Sequence, residues 1–248
     1  MEKFSYENQD FKCILYNEAK KINVDLNQEK LEKFEKYKNI LIEWNKKTNL
    51  TAITEDYQII MKHFIDCLEI TKYINKKSNI IDVGTGAGFP GIIIAIYFNE
   101  SVNITLMDAL NKRINFLLDV KKFLNLKNVN IVHGRAEEQA RKEEYREKFD
   151  YVVSRAVAPL NILLEYDVPF LKTHSKCLLL KSNNVDKEIN ECKNAINVLN
   201  LKITNIYEYR YNVNEEIYNR KIIEVEKLKA ISDMYPRNYG KIKKKPLW

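Results

Sequence analysis

The chain has 248 residues, 45% of them hydrophobic and 30% charged, the balance of a globular protein able to bury a core of ordinary size. Against 34 Asp and Glu stand 41 Lys and Arg, and the formal net charge of +7 favours a polyanionic partner. The opening MEKFSYENQDFK lacks the apolar segment of a secretory leader, and no apolar run approaches the roughly 20 residues that span a bilayer, so no membrane role is expected.

The first 75 residues read as helices. Leu31, Phe34, Tyr37, Leu41 and Trp44 recur at steps of three and four, which marks one buried face. The polar stretch NKKTNLT breaks the pattern, and a second amphipathic stretch follows with Ile59, Ile60, Phe64 and Leu68. From Asn79 the rhythm changes. The β-rich runs NIIDVG, NITLMD, NVNIVHG, FDYVVSR and KCLLLKS alternate with helical segments, one of which starts near Asn111 and is expected to bury Ile114, Leu117 and Leu118. Strands alternating with helices predict a parallel sheet covered on both faces. The last long stretch, LKITNIYEYRYNVNEEIYNRKIIEVEKL, reads as two strands joined by a polar turn around Asn214. An antiparallel hairpin closing a parallel sheet is the arrangement of S-adenosylmethionine-dependent methyltransferases, whereas a dinucleotide-binding domain would complete a second βαβ half. The expected fold is therefore α/β, a mostly parallel seven-stranded sheet over residues 76–248, with an N-terminal helical extension over residues 1–75 packed on it.

IIDVGTGAGFPGI, at 80–92, contains a G-x-G-x-x-G match from Gly86 to Gly91, and by itself leaves both a dinucleotide and S-adenosylmethionine open. Gly84, Gly86 and Gly88 let the backbone turn sharply and approach a ligand, and Pro90 stands where a helix begins. Asp108 ends the second strand. A carboxylate there accepts hydrogen bonds from both hydroxyls of an adenosine ribose, or else caps the next helix. After the third and fourth strands, HGRAEEQ and SRAVAPL put Ala136, Glu137 and Arg155 at the ligand crevice along the strand ends; Arg155 serves equally as a structural ion-pair partner.

Absences narrow the chemistry. Cys13, Cys67, Cys177 and Cys192 form no C-x-x-C pair and have no His ligand set beside them, which argues for reduced thiols in a cytoplasmic protein without a metal. None follows a proline, the usual context of the thiolate that attacks a pyrimidine for C5 methylation. The place of the Asp/Asn-Pro-Pro-aromatic loop used for exocyclic amines holds SRAVAP. Guanine N7 has an available lone pair and no proton to lose, so its methylation needs in-line positioning and no general base. The C-terminal YPRNYGKIKKKPLW interleaves Arg237, Lys241, Lys243, Lys244 and Lys245 with Tyr235, Tyr239 and Trp248, which suits phosphate contact and base stacking, or else a plain solvated tail. His63 and Asp66 in KHFIDC read more readily as packing or hydrogen-bonding residues than as catalysts.

Taken together and in order, WNKKTNLTAI, KHFIDCL, DVGTGAGFPGI, MDALNKRINFL, HGRAEE, SRAVAPL and YPRNYGKIKKKPL resemble the family of ribosomal RNA small subunit methyltransferase G, also called glucose-inhibited division protein B. They span Trp44 to Leu247. The resemblance implies methyl transfer from S-adenosylmethionine to N7 of guanine 527 in 16S rRNA. It implies cofactor contacts from Gly84 and Phe89, an adenosine end near Ala136 and Glu137, and Arg155 lining the cofactor pocket. It also makes the basic tail an rRNA contact, with 16S rRNA or the small subunit as partner. No long apolar heptad argues for a coiled-coil dimer, and a monomer is expected. The chain departs from the family's usual residues at Ser182 (Gly), at Gly240-Lys241-Ile242 (Gly-Thr-Pro) and at Cys67 (Ser). The competing readings are a methyltransferase for another RNA site, a non-catalytic RNA-binding protein of this fold, and a nicotinamide-dependent oxidoreductase.

Overall fold

The computed structural model describes residues 10–183 and 185–247, so Trp248 lies outside the described residues. Its strands are β1 (Asn79–Val83), β2 (Asn103–Asp108), β3 (Val129–His133), β4 (Phe149–Arg155), β5 (Leu171–Ser182), β6 (Leu201–Val213) and β7 (Glu216–Lys227). They form one sheet in the order β3-β2-β1-β4-β5-β7-β6. The first five are parallel, and β7 runs antiparallel to both β5 and β6. Chain order reverses between β1 and β4, which opens a crevice at their carboxyl ends. Both strands are buried almost throughout, as strands covered on both faces must be. The hairpin turns at Asn214, whose φ of +55° is one that asparagine tolerates well.

In front of the sheet lie α1 (Phe11–Lys21) and α2 (Gln28–Thr48). The Asn27 side chain caps α2 by accepting from Lys30 N, and Asn49 ends it in the left-handed conformation. The face of α2 marked by the sequence is the buried one, with Leu31, Phe34, Tyr37 and Leu41 inside. Trp44 packs edge-on against Phe116, ring centroids 5.9 Å apart. That contact turns the helix Asn111–Phe123: Ile114, Phe116, Leu117 and Val120 are buried, while Leu118, expected inside, is 49% exposed. A composite helix follows α2, running through Asp56–Ile59, a π turn at Ile60–Ile65, Asp66–Leu68 and a 3-10 end at Glu69–Tyr73. Phe64, within the π turn, stacks on Tyr37 at 5.6 Å and so joins this helix to α2.

The basic tail is folded. Asn238 caps a short helix, Tyr239–Lys244, by accepting from Lys241 N, and Ile242 and Leu247 are buried. Gly240-Lys241-Ile242, where the family's usual tail sequence is absent, therefore lies inside a helical turn. No helix among the described residues is long and apolar enough to cross a membrane.

Candidate active site

The Gly loop is pinned from below. Asp82, buried at the end of β1, accepts hydrogen bonds through Oδ2 from Thr85 Oγ1 (2.6 Å) and Gly91 N (2.7 Å), and burial pushes its carboxyl up to about 7. Gly84 follows with a φ of +69°, and a Cβ there would stand 3.0 Å from Val157 Cγ2, in the gap between the ends of β1 and β4. Gly88 has a different role from the one its spacing suggests. A Cβ on it would run into Ile92 and approach the Tyr37 hydroxyl at 3.1 Å, and that hydroxyl donates to Ala87 O. Gly88 lets α2 pack against the loop and lines neither of the cavities described next.

Two cavities meet at Gly84. The first, about 390 Å³, lies along the ends of β1, β2 and β3 and is walled by Val83, Met107, Asp108, Ala136, Glu137 and Tyr166 among others. The second, about 330 Å³, lies on the other side, walled by Thr51, His63, Gly86, Phe89 and four cationic side chains, Lys62, Arg113, Arg155 and Arg220. The structure thus divides the residues singled out in the sequence. Asp108, Ala136 and Glu137 face the first cavity, Gly86, Phe89 and Arg155 the second, and Gly84 both.

Asp108 is heavily bonded. Its Oδ1 accepts from Leu110 N (2.9 Å), and Oδ2 from Gly86 N (2.9 Å) and Arg113 Nη1 (3.1 Å). The next helix starts at Asn111 with Leu110 in the capping position, so Asp108 does not cap it. Instead it ties the end of β2 to the Gly loop. A carboxylate offers about four lone-pair directions; with three taken, one is left on Asp108 for a further donor.

Asp66 is the hub of the second cavity's wall. It is fully buried and accepts four hydrogen bonds: from Tyr209 Oη (2.8 Å) and Arg220 Nε (3.0 Å) on Oδ1, and from Arg155 Nη1 (3.1 Å) and Arg220 Nη2 (3.2 Å) on Oδ2. Arg155 also donates to Lys62 O (3.0 Å) and to His63 Nδ1 (3.2 Å), with its guanidinium 4.8 Å from the Phe89 ring centroid. Arg155 is thus the structural ion-pair partner of Asp66, and it also lines the second cavity. His63 stacks on Phe89 at 4.5 Å, and burial together with the Arg155 charge pushes its pKa down to about 3, so the ring is neutral. Tyr209 and Arg220 come from β6 and β7 and carry no local sequence signal.

Arg237 is a structural clip, contrary to its expected role at RNA. It donates through Nε (2.8 Å) and Nη2 (2.6 Å) to the two carboxylate oxygens of fully buried Glu165, and its backbone N–H joins them at 2.8 Å. The clip lays the tail helix over the first cavity, where Tyr239 and Lys243 form part of the wall. Lys241, Lys244 and Lys245 remain exposed. Tyr166 and Tyr239 are wall residues that the sequence patterns did not single out for this cavity, since both come from helices and not from strand ends.

The strand order, the terminal antiparallel hairpin and the glycine-lined gap at the switch point define the S-adenosylmethionine-dependent methyltransferase class of fold. Solved structures agree on the fold. P. horikoshii TYW2 in complex with MeSAdo superposes with a TM-score of 0.52 at 10% identity, covering 66% of this chain and 62% of that one. M. jannaschii TYW2 in complex with AdoMet gives 0.51 at 16%, covering 66% and 77%. Within that class the sequence is more specific. The family described as rRNA small subunit methyltransferase G matches residues 30–222. Proteins named ribosomal RNA small subunit methyltransferase G are 46% identical over 228 residues in Clostridium perfringens strain 13 (91% of this chain, 94% of the relative) and 47% identical over 240 residues in Clostridium kluyveri (96% and 99%). The relative from Desulforamulus reducens is 44% identical over 241 residues (96% and 99%). The chain belongs to the rRNA small subunit methyltransferase G family.

Proposed function

We propose that the protein transfers a methyl group from S-adenosylmethionine to N7 of guanine 527 of 16S rRNA in the small ribosomal subunit. The observation that carries this reading is the pair of cavities joined at Gly84, one largely apolar and edged by carboxylates, the other cationic. The first suits an adenosine: Val83, Met107 and Ile162 flank it, and Asp108 keeps one lone pair for a ribose hydroxyl. At the junction Gly84 lines both cavities, and its missing Cβ lets Val157 lie against the end of β1. In this reading Gly84, Gly86, Phe89, Asp108, Ala136, Glu137 and Arg155 hold the cofactor, which when bound supplies an electrophilic methyl on a sulfonium.

The second cavity then receives the base. Its cations suit phosphate and carboxylate groups, and the two nearest candidates for a general base, His63 on its wall and Asp66 buried behind it, are already occupied. Asp66 has all four lone-pair directions filled, and His63 is bonded through both ring nitrogens. Attack by N7 requires no proton removal, so the chain's task is to hold the base in line. Lys241, Lys243, Lys244 and Lys245 supply the rim that meets the rRNA backbone. The reading places the enzyme in the cytoplasm as a monomer, with residues 1–75 as a helical extension of the methyltransferase domain over 76–248.

Small subunits from cells lacking this methylation test it. After incubation with radiolabelled S-adenosylmethionine, borohydride reduction and aniline cleavage of the rRNA should give a single cut at guanine 527. Incorporation at another position would reassign the substrate, and absence of incorporation with intact cofactor binding would move the search to other RNAs.

A further inference from the structure

Thr51 sits on the loop after α2 and lines the second cavity. Its backbone is held on both sides by one side chain: Thr51 N donates to Asn45 Oδ1 (2.9 Å), and Asn45 Nδ2 donates to Thr51 O (2.8 Å). Thr51 Oγ1 accepts from Ile53 N (3.0 Å) and stands 3.0 Å from His63 Nε2. The direction of that second hydrogen bond is set on the far side of the ring. Arg155 is permanently protonated and directs an Nη2 hydrogen at Nδ1, so Nδ1 is the acceptor and Nε2 carries the ring proton. The Lys62 carbonyl, 3.1 Å from Nδ1, is already served by Arg155 Nη1 and requires no donor from the ring.

A hydroxyl has two acceptor lone pairs and one proton. Both lone pairs of Thr51 Oγ1 are taken, by Ile53 N–H and by His63 Nε2–H. Its own O–H has no partner among the described residues, and Thr51 lines the cavity. The result is a neutral donor of fixed orientation on an anchored side chain.

We infer that the Thr51 hydroxyl reads the group at position 6 of the target purine and so selects guanine over adenine, with Asn45, His63 and Arg155 as positioning residues. On the edge that carries N7, guanine presents O6, an acceptor, where adenine presents an amino donor. Chemistry at N7 brings that neighbouring group into the same pocket. A donor facing it pairs with O6 and opposes the amino group. The inference rests on the N7 reading given above.

The test compares wild type, Thr51→Val and Thr51→Ser on reconstituted small subunits that carry either guanine or 2-aminopurine at the target position. 2-Aminopurine keeps N7 and has no hydrogen-bonding group at position 6. Thr51→Val should lower kcat/KM on guanine by about 3- to 10-fold, the worth of one neutral hydrogen bond. It should leave the 2-aminopurine rate and the cofactor Kd unchanged, and Thr51→Ser should restore the guanine rate. Equal losses on both substrates, or no loss on guanine, would overturn the inference while leaving the N7 reading in place. Wild-type product that resists borohydride and aniline would instead bring down the N7 reading, and the inference with it.

Discussion

Two additions complete the parallel sheet, each fastened to it by arginine on a buried carboxylate, and they differ in which side supplies the carboxylate and in what they leave exposed. The N-terminal wall, comprising the Thr51 loop and the composite helix, is joined through a buried carboxylate, Asp66, that binds donors from β4, β6 and β7. The C-terminal wall is clipped by the ion pair of Arg237 with Glu165, by Arg141 and Arg146, which donate to backbone carbonyls between Ser232 and Pro236, and by the apolar anchors Ile242 and Leu247. A pocket that must hold a base in line needs side chains locked by their neighbours. A surface that meets a polyanion needs solvated cations, and Lys241, Lys244 and Lys245 are exposed on the tail. Arginine serves as the fastener in both walls, and the exposed charge on the tail helix is lysine.

The contrast breaks first at Asp66. Asp66→Ala leaves two guanidinium groups facing each other with no counter-charge, and removal of one partner from a buried pair costs about 3–5 kcal/mol. Chemical denaturation should register that loss; a change under about 1 kcal/mol would show that Asp66 is not what fastens its wall.

A smaller effect follows from His63, whose pKa lies at about 3 in the folded protein against 6.5 for the free side chain. The folded state keeps the ring neutral while the unfolded chain takes up a proton. Its contribution is therefore complete above pH 6.5 and shrinks as pH falls from 6.5 towards 3, by about 1.4 kcal/mol per unit. The difference in unfolding free energy between wild type and His63→Gln should slope across that window and be flat above it. A difference that is level with pH would mean the ring takes up its proton as readily when folded.

On the tail, converting Lys241, Lys244 and Lys245 to Ala should leave stability within about 0.5 kcal/mol of wild type. Binding to small-subunit rRNA should weaken, and the plot of log affinity against log salt should become shallower by about one for each phosphate no longer neutralised. An unchanged slope would show that these lysines do not reach the backbone.

Most of the fold was legible from the sequence because it depends on local periodicity. The five parallel strands, the hairpin turning at Asn214 and the buried face of α2 all follow from runs of apolar residues. Where the reading failed, a contact between distant residues decided the outcome. The periodicity of its own helix puts Leu118 inside, whereas in the fold Trp44 packs on Phe116 and Phe116 is buried in its place. Arg237 looked like part of a basic tail because Glu165, its partner, lies 72 positions earlier in the chain. In the first cavity the motifs at strand ends mark Gly84, Asp108, Ala136 and Glu137, while Ile162, Tyr166 and Tyr239 reach it from helices the motifs do not mark. The second was seen only in part, because Thr51, Arg113 and Arg220 arrive there from a loop, a helix and the last strand.

Asp66 is separated by 143 residues from Tyr209 and by 154 from Arg220. Closing loops of that length is entropically unfavourable, and contacts so distant in sequence are slow to form. During synthesis the N-terminal helices, the Gly loop and β4 leave the ribosome well before the strand that carries Arg220. Until it emerges, Asp66 has a single guanidinium beside it, that of Arg155, and the second cavity lacks one side. The shape needed for methyl transfer is thus acquired near the end of translation, by an enzyme whose substrate is part of the machine translating it.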